Sequence, residues 1–220
     1  MTLKHLKKLD LQRVLNYAYV SVIVILVSAA LYGVGTFVPN DWARSKIERV
    51  TENRLIEEAK EYGFHAPEFR YTDQASFIKA VNLCVNYLNM VTEPHRRIPS
   101  EIILGMAIIE SANGTSRFAV EGNALFGVRT WDPAEPQMKP LQIPNAKFGV
   151  KKYMTKCESV ADVITILNRH PAYEAFREER DRQVDRNSWN YRKLAKLLTA
   201  WSTNPDYPDL IINIIQENNL

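Results

Sequence analysis

The chain has 220 residues, 46% of them hydrophobic, with 28 basic against 25 acidic side chains and a formal net charge of +3. That apolar fraction supports the core of one domain with additions, and the near balance of charge argues against a polyanion held by charge alone. The basic residues are dispersed without a zinc-ligand or RNA-recognition pattern, which argues against nucleic acid. The four His and two Cys lack metal-ligand spacing, and a Gly-rich phosphate loop is missing, so neither a metal nor another cofactor is expected.

Residues 1–16 form a short basic tail with Lys4, Lys7, Lys8 and Arg13, and from Val14 to Asn40 no residue is charged. Residues 17–38 are long enough to cross a bilayer as a helix, at ~1.5 Å per residue against a core of ~30 Å. The segment is apolar on all faces, unlike a core helix, and Tyr17, Tyr19 and Tyr32 suit the interfaces. Ser28-Ala29-Ala30 offers the small residues of a signal-peptidase site. The apolar run continues past them, so an uncleaved anchor is expected. Arg44, Lys46, Arg49 and Arg54 follow the span, so flanking charge barely sets its orientation; the short basic tail points inside.

Residues 39–72 read as a stalk and linker. Arg44 to Tyr62 is charge-rich with Ile47, Val50 and Ile56 at loose helical spacing, and Gly63 to Arg70 is a connection. The remaining domain, 73–220, opens with a helix from about Gln74 to Val91 whose apolar face is Phe77, Val81, Cys84, Val85 and Leu88. Cys157 lies far along the chain and neither cysteine position suggests the other, so buried free thiols are the expectation.

Ser100 is placed to cap a helix running from Glu101 to about Ala112, which stops at Asn113-Gly114. Ile103, Met106, Ala107 and Glu110 share one face, apolar except at its last position. A carboxylate there lies in the core or at the floor of a cleft. Burial disfavours its charged form, and a carboxyl kept protonated is a general acid. The bland alternative is a Glu that caps the turn Thr115-Ser116-Arg117 or pairs with Arg117. After Leu125–Trp131, read as a short strand, Pro133, Pro136, Pro140 and Pro144 make an irregular tip before a return strand at Lys147–Met154. Helices follow at Glu158–Asn168, with Val160, Val163, Ile164 and Leu167 inward, at Tyr191–Trp201, and from Leu210.

Glu110-Ser111-Ala112-Asn113-Gly114, Ser116-Arg117-Phe118-Ala119, Asn123-Ala124-Leu125-Phe126-Gly127, the segment Asn168–Arg177 and the late turn Trp201–Tyr207 together resemble the bacterial glucosaminidases of glycoside hydrolase family 73. The likeness is strongest to their Bax-like branch and runs over roughly Ile98 to Leu220. It implies a mainly α (α+β) fold: a lysozyme-like helical domain with a small β-hairpin lobe, behind one transmembrane helix. It implies Glu110 as the catalytic acid and a second carboxylate on the hairpin, Glu135, with Glu121 and Glu158 as competitors. Asn123, Phe126, Tyr173 and Tyr207 would hold the glycan; Tyr173 and Trp131 are candidates to stack on sugar faces, with core packing the alternative for each of these aromatics. Arg177 is expected to pair with a nearby acid, and His170 to end a helix. The implied activity is that of an endo-β-N-acetylglucosaminidase cleaving β-1,4 bonds in a GlcNAc-containing glycan, peptidoglycan first. A lytic transglycosylase and a non-catalytic, glycan-binding envelope scaffold are the alternatives. The implied location is the bacterial inner membrane, single-pass, with the domain in the periplasm; no protein partner is indicated.

Overall fold

The structure is a computed structural model that describes residues 3–37, 46–47, 50–51, 54, 57, 65–143 and 145–220. The chain divides into two units, Met1–Arg54 and Leu55–Leu220. The expected stalk helix over 44–62 falls largely outside the described residues. In the first unit α1 (Leu3–Phe37) is one continuous helix. Its stretch Val14–Tyr32 is long and apolar enough to cross a membrane, and all of it is exposed. That exposure separates it from a soluble core helix; an anchor and a signal sequence both fit.

The second unit opens with an aromatic clasp of Phe69, Tyr71 and Phe77, ring centroids 5.2–6.0 Å apart. Asp73 then caps α2 (Gln74–Met90) in a reciprocal box with Ser76, which gives the first turn a defined start. Next comes α3 (Ser100–Ser111). Pro99 occupies the N-cap position without a side-chain bond and Ser100 is the first helical residue, so the expected Ser100 cap is not formed. Ile102, Ile103, Met106 and Ala107 are fully buried. A helix apolar on all sides belongs at the centre of a domain, and α3 packs against α2 and against α8 (Tyr207–Glu217). Gly105 permits the second contact: a Cβ there would come within 3.2 Å of both Ile211 and Ile215.

Between these run α4 (Arg117–Gly122), α5 (Lys156–Arg169), α6 (Glu174–Asp185) and α7 (Tyr191–Ala195). Thr155 and Glu158 start α5, with the Thr155 hydroxyl accepting from the Glu158 N–H at 3.2 Å. The expected helix Tyr191–Trp201 ends early. Beyond Ala195 the bonds Leu197 N–H to Leu194, Leu198 N–H to Ala195 and Trp201 N–H to Leu198 span three residues, tightening the chain into successive turns that redirect it. Among the described residues Arg177 pairs with no acid; its guanidinium donates to the carbonyls of Leu167 and His170, at 3.2 and 2.8 Å, where α5 runs out of partners.

The β-lobe is larger than a hairpin. Strands β1 (Arg129–Thr130), β2 (Gln137–Met138) and β3 (Gly149–Lys151) form an antiparallel sheet in the order β1-β3-β2. The proline-rich stretch thus contributes a strand, because Gln137 and Met138 lie between prolines and keep their ladder N–H groups.

Cys84 and Cys157 form a disulfide between α2 and α5, Cα atoms 5.5 Å apart, across a sequence separation of 73 residues. This corrects the expectation of free thiols. Helix packing brings together two positions that spacing alone does not relate. In the chain-entropy view such a closure is worth about 4 kcal/mol.

Candidate active site

The site begins where α3 stops. Ala112, Asn113 and Gly114 have φ of 50°, 57° and 78°, three left-handed residues in succession. The buried Ser111 hydroxyl holds this turn, donating to the Ala107 carbonyl at 2.6 Å and accepting from the Gly114 N–H at 2.7 Å. The Tyr71 hydroxyl donates to the Gly114 carbonyl at 2.6 Å. A Cβ on Gly114 would meet the Phe77 and Tyr71 rings at 2.7 Å, so the turn needs glycine for both space and backbone angle.

Glu110 is thereby fixed on the last turn of a buried helix and lines an open cleft of about 520 Å³. The Trp201 Nε1–H donates to its Oε1 at 3.1 Å. Burial dominates the carboxyl and holds it above the usual carboxylate range, against the opposing pull of the Tyr207 hydroxyl and the Trp201 N–H. Tyr207 is buried and near enough for the Glu110 charge to help suppress its ionisation, behind burial itself as the larger cause. Its hydroxyl misses strict hydrogen-bond geometry, so Trp201 is the geometric donor.

Among the expected residues, the structure brings Glu110, Phe126 and Tyr173 together in the cleft lining, with Trp131 and His170. Tyr173 stands 6.4 Å from the Trp201 ring. Tyr207 belongs to the surroundings of the carboxyl rather than to the lining. Asn123 does other work: at φ 52° it ends α4, its Nδ2 donates to the carbonyls of Tyr153 and Met154, and its Oδ1 accepts from Lys156. It ties the lobe to the start of α5.

The three candidate second carboxylates all lie outside the cleft lining. Glu135 is paired with Lys151 at 3.3 Å, and Lys151 also reaches Asp162 at 3.3 Å. Asp162 accepts from the Tyr153 hydroxyl at 2.6 Å, so this cluster fastens the lobe to α5. Burial works against the Lys151 charge, but the two carboxylates outweigh it and raise its pKa. Glu121 pairs with Arg117 at 3.2 Å. Glu158 accepts from the Met154 N–H at 2.9 Å. Among the described residues Glu110 is the one carboxylic acid in the cleft lining. Sequence reasoning missed Trp201 as its partner; the visible signal was an indole immediately before the Ser202–Tyr207 turn.

A mainly helical, lysozyme-like domain with a small antiparallel lobe and one half-buried carboxyl over an open cleft defines a glycosidase class of protein. Residues 88–220 match the glucosaminidase family, described as mannosyl-glycoprotein endo-beta-N-acetylglucosaminidase, and the chain belongs to this family. It is 29% identical over 123 residues to protein bax of Escherichia coli, covering 55% of this chain and 43% of that protein. It is 27% identical over 158 residues to the exo-glucosaminidase LytG of Bacillus subtilis, covering 67% of this chain and 52% of that protein. The chain therefore spans about half the length of these curated relatives. The catalytic domain of the autolysin Auto from Listeria monocytogenes shares the fold, with a TM-score of 0.50 at 17% identity over 74% of this chain and 94% of that one.

Proposed function

We propose that this protein cleaves β-1,4 bonds in a GlcNAc-containing glycan, most readily peptidoglycan, with Glu110 protonating the leaving oxygen. The observation that carries the reading is the Glu110 carboxyl itself: half-buried, kept toward its acid form, and gripped by one indole N–H at the floor of the cleft. Phe126 and Tyr173, with Trp131, offer the sugar-facing surface. Relatives named as an exo-glucosaminidase and an autolysin support a bacterial wall glycan. The exposed apolar helix supports membrane anchoring, and the Cys84–Cys157 bond supports an oxidising compartment such as the periplasm.

Because Glu135 is committed to Lys151 and lies outside the cleft lining, the second step falls to the substrate. Its own N-acetyl oxygen stabilises the cation left after protonation, and water then completes hydrolysis. The same single-acid arrangement favours one rival: a lytic transglycosylase, in which a sugar hydroxyl attacks instead of water. Digestion of purified peptidoglycan by wild type and Glu110→Gln, with mass spectrometry, separates them. Reducing-end GlcNAc products are expected, with a loss of about 10²–10⁴-fold in the variant. Anhydro-MurNAc products would move the assignment to the transglycosylase. Binding without products from either protein would leave a scaffold.

A further inference from the structure

The lobe wall of the cleft carries a cation that, among the described residues, is held by an aromatic face alone. Arg129, exposed on β1, lines the cleft, and its guanidinium stands 4.5 Å from the Phe148 ring centroid. The Phe148 ring in turn lies 6.0 Å from Trp131, whose side chain is 65% exposed and also lines the cleft. Three nearby cations are occupied, and Lys147 and Lys152 are not among the residues that line the cleft. Lys151 bridges Glu135 and Asp162, Lys139 donates to the carbonyls of Ala146 and Phe148, and Arg117 holds Glu121 and the Lys139 carbonyl. Arg129 forms neither an ion pair nor a hydrogen bond among the described residues. An aromatic face engages a guanidinium without consuming any of its N–H donors. The result is a positioned, donor-rich fork beside an exposed indole, in a cleft whose other ionisable lining groups are Glu110, His170 and Tyr173.

Resting on the glycosidase reading above, we infer that Arg129 is an anion subsite of the cleft, a bidentate donor to a carboxylate carried by the glycan, with Trp131 beneath the neighbouring sugar face. A planar fork matches a carboxylate better than an ammonium does. Peptidoglycan supplies that group in two ways: as the lactyl carboxylate of a muramic residue without peptide, or as carboxylates of the attached peptide. A plain GlcNAc chain supplies none. Arg129 would thus set which GlcNAc glycans the cleft accepts, while Glu110 sets what happens to them.

The test uses the 220-residue chain with Glu110→Gln, in detergent, expected to bind without cleaving, alone and with Arg129→Gln or Arg129→Lys added. The ligands are a peptide-free GlcNAc-MurNAc chain, the same chain bearing peptides, carboxyl-amidated forms of both, and a GlcNAc oligomer of equal length. With Arg129 present, at least one free-carboxylate chain is expected to bind about tenfold more tightly than its amidated form, an advantage that shrinks with salt. The chain showing it identifies the carboxylate. Arg129→Gln is expected to remove the preference while GlcNAc-oligomer affinity stays within about twofold, and Arg129→Lys to restore part of it. Equal affinity for free and amidated chains, or a preference that survives Arg129→Gln, overturns the inference. Hydrolysis by the wild type is scored separately. A preference without cleavage sinks the hydrolase reading alone, cleavage without a preference sinks the Arg129 subsite alone, and no binding to any chain sinks both.

Discussion

Glu110 stands on a helix whose Ile102, Ile103, Met106 and Ala107 are fully buried, while the wall across the cleft is a sheet of two- and three-residue strands that leaves Trp131, Leu141 and Ile143 mostly in solvent. The helical body is fixed by packing, a disulfide and a left-handed turn. The lobe is fixed by a few polar ties: Lys151 to Asp162 and Glu135, Lys139 to two carbonyls, and Asn123 to the end of β3's connection. The difference assigns separate duties. Placing an acid to within fractions of an ångström calls for close packing, whereas gripping a polymer tolerates a wall whose surface can be altered residue by residue. Changes to the body are expected to alter stability and chemistry together, and changes to the lobe to alter recognition with the fold intact.

The largest effect on the body is expected from Cys84→Ser with Cys157→Ser, a loss of about 4 kcal/mol measured by denaturant unfolding of the domain. Reductant acting on the wild type should reproduce it. Gly114→Ala comes next. Its new methyl would overlap the Phe77 and Tyr71 rings at a φ of 78°, so about 2–3 kcal/mol should be lost. Activity should fall at temperatures where the variant is still folded, because the turn that fixes Glu110 is displaced.

Trp201→Phe sharpens the comparison without breaking the fold. The indole N–H stabilises the ionised carboxyl, so its loss raises the Glu110 pKa further. In the proposed reaction the protonated acid carries the rate, so the alkaline limb of the kcat profile should move to higher pH, with about a tenfold change in rate at a fixed alkaline pH. The linked stability follows the same sign. The folded-state pKa is raised, so the wild type loses stability as pH climbs from the ordinary carboxylate range through the raised value. Glu110→Gln should not show that loss in a pH series of thermal melts. The smallest effect belongs to Glu135→Gln. With its partner partly exposed, stability should change by less than about 1 kcal/mol and activity by less than about threefold. A fall of about 10²-fold would instead enlist Glu135 in the chemistry.

Much of the body was legible in the sequence because its helices carry a 3.6-residue apolar period: Phe77, Val81, Cys84 and Val85 on α2, and Val160, Val163, Ile164 and Leu167 on α5, are all buried as that period requires. Glu110 was legible for the same reason, as the one carboxylate ending an apolar face. The lobe was not, since strands of two residues have no period to read. Helix α6 was passed over because two thirds of its residues are charged and few are apolar; its inward side is built from Phe176 with Arg180 and Gln183, polar groups buried through hydrogen bonds to Asn168, Asp181, Glu179 and the Asn190 backbone. The disulfide and the Trp201–Glu110 bond share one obstacle. They join residues 73 and 91 positions apart, and only the assembled core decides that they meet.

Glu110 lies within the stretch closed by the Cys84–Cys157 bond, while Trp201 and Tyr207 lie beyond it. A chain delivered from its N-terminal side therefore receives its acid and the facing wall inside one covalent loop, ahead of the residues that tune that acid. Until the 201–207 segment docks, the carboxyl lacks the Trp201 and Tyr207 side chains that stand against it in the folded domain. The surroundings of this carboxyl are thus assembled from both sides of the covalent loop, and their last members come from outside it.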